Sequence, residues 1–65
     1  MNPEHETYPS GKRIIREFAS DGRIEKETHF YGTMEIACII QYAHGEKTEE
    51  LYFFKKRLIT RAHYE

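Results

Sequence analysis

The chain predicts an all-β fold: an antiparallel meander of about four to six strands, built from β-hairpin repeats as a single sheet or small open barrel. Three observations carry this. An aromatic residue, a short gap, glycine and a charged residue recur as a turn phrase. Met34 to Tyr42 alternates strictly with a period of two. Aromatic residues return at one spacing along the chain.

The turn phrase reads Tyr8-Pro9-Ser10-Gly11-Lys12, then Phe18-Ala19-Ser20-Asp21-Gly22-Arg23, then Tyr42-Ala43-His44-Gly45-Glu46, with Phe30-Tyr31-Gly32-Thr33 as a shortened form. Glycine after a polar turn residue marks a tight reversal. Lys12 to Phe18 is the first clear strand. Ser20-Asp21-Gly22 turns it into a second, Arg23 to Tyr31. The third strand places Met34, Ile36, Cys38, Ile40 and Tyr42 on one face and Glu35, Ala37, Ile39 and Gln41 on the other. Ile39 on the second face marks it as central. Ala43-His44-Gly45-Glu46 reverses the chain again.

Two readings compete from residue 48 onward. A helix would align Leu51, Phe54, Leu58 and Ala62, with Glu49 and Glu50 near its start. A strand pair would run Thr48 to Phe54, turn at Lys55-Lys56 and return through Arg57 to Ile59. The Tyr52-Phe53-Phe54 run favours strands. Thr60 is placed to cap a short helical turn near the C-terminus. The aromatic spacing also favours strands. Tyr8, Phe30/Tyr31 and Phe53/Phe54 form one series about 22 residues apart, and Phe18, Tyr42 and Tyr64 form another.

One domain is expected over residues 1–65, with residues 1–6 flexible. A chain of this length buries only about 60% of its unfolded surface. Cys38 is the only cysteine, so no intrachain disulfide helps. It reads as a small core residue, and the cysteine usage suits a cytoplasmic location. No stretch approaches the roughly 20 apolar residues of a membrane helix.

The net charge of −1 argues against a general polyanion binder. The charge is unevenly spread. Residues 1–50 carry six Lys/Arg and ten Asp/Glu, whereas residues 51–65 carry four Lys/Arg and one Glu. The C-terminal portion is a basic pole on an acidic body.

No catalytic, cofactor-binding or metal-binding residues are assigned. The four histidines lack metal-ligand spacing, and Glu25, Glu27 and His29 read as a solvated strand face. Ser10 and Ser20 have turn roles, and no glycine-rich phosphate loop exists. Two surfaces remain. Met34, Ile36, Ile40 and Tyr42 form a candidate association face, because an uncovered apolar sheet face needs a second copy or another protein. A homodimer or a partner-dependent module is the expected assembly. Tyr52, Phe54, Lys55, Lys56, Arg57 and Arg61 form a candidate partner contact. The same basic-aromatic segment is the basis of an alternative, a nucleic-acid-associated regulator.

The turn phrases resemble those of MORN-variant repeats in short bacterial proteins, many of them antitoxin-like. The resemblance covers roughly residues 8–59. Phe53-Phe54-Lys55-Lys56-Arg57 resembles the same phrase with Lys56 where glycine is usual. The resemblance implies a non-enzymatic β-meander that contacts other proteins, with an antitoxin- or immunity-like role. It implies no catalytic residue.

Overall fold

The computed structural model describes residues 3–32 and 34–64. Six strands lie in chain order in one antiparallel sheet: β1 Glu4–Thr7, β2 Arg13–Phe18, β3 Ile24–Phe30, β4 Ile36–Ala43, β5 Glu46–Phe54 and β6 Arg57–His63. The sheet is open, and the described residues contain no helix. The strand reading of the last third holds. Thr60 lies within β6 opposite Tyr52, so it caps no helical turn. Pairing along β5 satisfies the backbone that a helix would otherwise have satisfied internally. Glu4–Thr7, the first three of them in the stretch expected to be flexible, pair with Arg13–Arg16 as an edge strand.

Two kinds of turn connect the strands. The first three enclose three residues. Tyr8 N–H donates to the Lys12 carbonyl, Ala19 N–H to Arg23, and Tyr31 N–H to Glu35, at 2.8–2.9 Å. The residue before each closing partner is left-handed: Gly11, Gly22 and Met34, with φ of 92°, 87° and 72°. The third turn is therefore not a shortened phrase, and its left-handed residue is Met34 rather than Gly32. Gly32 answers a different need. A Cβ there would lie 3.4 Å from the Ser10 carbonyl oxygen, because the first and third turns touch. The last two turns are two-residue reversals with both residues left-handed, His44-Gly45 and Lys55-Lys56.

Each strand from β3 to β6 carries one unmatched residue near its start: Glu25, Ala37, Thr48 and Ile59. These β-bulges fall 11 or 12 residues apart. A bulge increases local twist, so repeating it at one place in each hairpin bends the sheet regularly. At the Thr48 bulge the Gln41 carbonyl is answered by a side chain, since the Thr48 hydroxyl donates to it at 3.2 Å.

The sheet is one layer thick. Its smallest extent is 14 Å, too thin for two sheets packed about 10 Å apart with side chains on their outer faces. Burial therefore comes from neighbouring strands and from twist. The buried apolar side chains are Ile14, Cys38 and Ile40. All three belong to one face.

Candidate interaction surfaces

Register defines the two faces, because directly opposed residues point the same way. One face carries the row Glu4, Arg16, Glu27, Ile40, Glu50 and Ala62, and beside it the row Glu6, Ile14, His29, Cys38, Tyr52 and Thr60. This is the polar face. The opposite face carries His5, Ile15, Thr28, Ile39, Leu51 and Arg61 in one row. Four of those six are aliphatic or threonine, so it is the aliphatic face.

The polar face is organised by two hubs. Arg16 reaches Glu4 at 3.3 Å, Glu6 at 3.0 Å and Glu27 at 3.0 Å. The hydrogen bond with Glu6 leads the effects that hold its guanidinium even more firmly protonated than usual. Glu27 also meets His29 Nε2 at 2.5 Å. The second hub is Glu50, only 8% exposed. Tyr52 donates its hydroxyl to Glu50 at 2.6 Å, and Tyr64 donates to the other carboxylate oxygen. These hydrogen bonds, Tyr52 first, hold Glu50 below its ordinary carboxylate range. Reciprocally, the bond to Glu50 pushes Tyr52 up to about 12. Lys47 adds a longer ion pair to Glu50 at 3.9 Å.

These hubs change the meaning of the association face read from β4. Ile40 is buried between Glu27 and Glu50, its register partners on either side. Tyr42 is half-buried on the same charged face. Met34 and Ile36 are exposed and lie elsewhere, in a cleft of about 500 Å³ lined with Glu35, Phe53 and Lys56. The four residues therefore do not form one open apolar surface. A second apolar row crosses the opposite face, with Ile15, Ile39 and Leu51 half-buried beside buried Thr28.

The partner-contact residues divide similarly. Tyr52 alternates with Phe54 along β5, Lys55-Lys56 form the turn tip, and Arg57 opens β6. Arg61 stands on the aliphatic face and pairs with Glu49 at 3.6 Å. It does not join the others. The meander instead brings three turns together at one end of the sheet: Tyr8 to Lys12, Tyr31 to Glu35, and Lys55-Lys56. Lys12 and Arg13, not among the contact residues expected from the sequence, stand at this odd-turn end. The aromatic spacing held the clue. Tyr8, Phe30/Tyr31 and Phe53/Phe54 all close odd-numbered strands, while Phe18, Tyr42 and Tyr64 close even-numbered ones.

Chemistry beyond contact finds little support in the geometry. Burial, and then the charge of Glu50, pushes the Cys38 thiol up, so it stays protonated. Among the described residues no three His, Cys, Asp or Glu groups converge on a metal position. Glu25 is a bulge residue, and Glu27 is engaged by Arg16 and His29. No helix among them is long and apolar enough to cross a membrane. Compared with family models, curated proteins and solved structures, the chain matches none of the three.

Proposed function

We propose that the chain is a non-enzymatic β-sheet interaction module, antitoxin- or immunity-like by its resemblance to MORN-variant repeats, that works as a homodimer. The carrying observation is the single layer. Among the described residues only Ile14, Cys38 and Ile40 are buried apolar residues, and no second layer lies over the row where Ile15, Ile39 and Leu51 stay half-buried beside buried Thr28. An apolar strip crossing four strands favours a cover. A second copy supplies one of the same shape, as in packed sheets. Burying a large aliphatic side chain contributes about 1.5–3 kcal/mol, so three of them matter to a chain this small.

Sedimentation velocity on the purified chain tests this. The expected result is a dimer whose dissociation is strengthened by Leu51→Asp and not by Thr60→Asp on the polar face. A monomer at micromolar concentration, with amides along β4 protected from hydrogen exchange, would overturn the reading.

A further inference from the structure

The odd-turn end differs from the rest of the molecule in how its charges are satisfied. Elsewhere, every Lys and Arg but Lys26 has a carboxylate partner: Arg16 with three glutamates, Arg23 with Asp21, Lys47 with Glu50, and Arg61 with Glu49. Lys12, Arg13, Lys26, Lys55, Lys56 and Arg57 have no carboxylate partner among the described residues. All of these except Lys26 stand at the odd-turn end. Glu35 is the one carboxylate among the described residues of its three turns. A concentration of unpaired charge of one sign attracts an oppositely charged partner.

This end is also a continuous, partly apolar surface. The first and third turns touch at glycines, with a Cβ on Gly11 placed 3.5 Å from Gly32 Cα. The third turn is tied to β5, because the Tyr31 hydroxyl donates to the Phe53 carbonyl at 2.8 Å. Two clefts open between these contacts. One, of about 280 Å³, runs from Tyr8 and Lys12 past Arg13 to Tyr52. The other, of about 500 Å³, is lined by Met34, Ile36 and Phe53 together with Glu35 and Lys56. Arg13 Nε is buried beside the first cleft without a hydrogen-bond partner.

We infer that the odd-turn end is a docking site for an acidic polypeptide segment that inserts an apolar side chain between Met34, Ile36 and Phe53. The inference rests on the chain's being an interaction module and names the partner's chemistry. Charge complementarity selects an anionic partner. The apolar groups select polypeptide over single-stranded nucleic acid. Base stacking requires open aromatic faces, but Lys55 Nζ lies 5.5 Å from the Phe54 ring centre and occupies that face. The most exposed apolar group at this end, Met34 at 64%, is not aromatic. A methionine adapts its shape to a partner's side chain.

The test measures fluorescence anisotropy of a labelled peptide in which glutamate alternates with leucine. A lysine–leucine peptide and an oligo-dT strand are controls. The glutamate peptide is expected to bind the wild-type chain and weaken as salt rises. The charge reversal Lys12→Glu/Lys55→Glu/Lys56→Glu should weaken it about tenfold or more. Lys26→Glu, an unpaired cation away from this end, should leave it unchanged. Met34→Ser should weaken binding without altering its salt dependence. Equal loss in Lys26→Glu and the triple variant would overturn the site. Binding of oligo-dT in preference to the glutamate peptide would overturn the partner assignment. Failure of peptide binding with an intact dimer by sedimentation would sink this inference and leave the interaction-module reading standing.

Discussion

Replacing Lys56 by glycine should stabilise the protein while removing a positive charge. Lys56 occupies the second position of the Lys55-Lys56 turn with φ of 67°. An L-residue in this left-handed region costs roughly 1–2 kcal/mol. Glycine relieves that strain but has more freedom in the unfolded chain, which takes back about 0.4–1 kcal/mol. The net gain is about 0.5–1 kcal/mol. Lys55 stays in place, so its contact with the Phe54 ring at 5.5 Å is preserved. Met34→Gly rests on the same reasoning, at φ of 72° in the position that glycine holds in the two preceding turns. Because Met34 is mostly exposed, its removal sacrifices little buried area.

Urea unfolding followed by far-ultraviolet circular dichroism reads the effect. A chain of this size loses about 1 kcal/mol per molar urea, so each midpoint should rise by about 0.5–1 M. All proteins must be compared at one concentration, since self-association raises apparent stability. The informative outcome is stabilisation accompanied by weaker glutamate-peptide binding. An unchanged or lower midpoint for both variants would refute the strain argument.

Ile40→Ala should cost about 2–3 kcal/mol, at the low end for buried aliphatic truncation because the uncovered face lets water approach. A thermal melt checks it, and a loss below about 1 kcal/mol would mean that Ile40 is not part of the core. Gly11→Ala should cost about 1–2 kcal/mol through its φ of 92°. Gly32→Ala should cost under about 0.5 kcal/mol, because its demand is only an approach to Ser10; equal costs would contradict the division of roles. Stability should also fall at both pH extremes through the Glu50 hub. Glu50 is held below its ordinary value, so its contribution is complete above that value and fades as the pH falls below it. Tyr52 is raised to about 12, so its contribution is complete below about 10, the ordinary tyrosine value, and is lost as the pH climbs through 12. Tyr52→Phe should flatten the alkaline limb of a midpoint-versus-pH profile. A limb parallel to wild type between those two values would refute the coupling.

The fold was legible wherever chain-local chemistry decided it. The period-two run from Met34 to Tyr42 became β4 from Ile36 onward, with Met34 left in the preceding turn, and the glycine phrases became turns. Lys55-Lys56 became a reversal although neither residue is glycine, because the flanking runs required one. Other features depended on long-range register. Even-numbered β4 residues share an apolar parity, but whether Ile40 is open depends on what β3 and β5 set beside it. Register sets Glu27 and Glu50 there, which no local pattern announces. The bulges at Glu25, Ala37, Thr48 and Ile59 also break alternation once in each strand pairing after the first. Gly32 misled for a related reason: a glycine required by a neighbouring turn looks in sequence like one required by its own φ.

The lysine turn links conformation to surface chemistry. A two-residue reversal with both residues left-handed favours Asn-Gly or Asp-Gly, and the chain uses glycine in the equivalent His44-Gly45 turn at the opposite end. At the odd-turn end it instead retains two lysines at φ of 50° and 67°, and a methionine at 72° where earlier turns have glycine. Strain heavier beside one surface, with three left-handed non-glycine residues there against His44 alone at the opposite end, is a cost that folding alone does not require. The side chains retained are two of the unpaired cations and the most exposed apolar group that lines the 500 Å³ cleft. Stabilising the turns and weakening the docking end should therefore be the same mutation, and Lys56→Gly and Met34→Gly separate the two effects by measuring both in one protein.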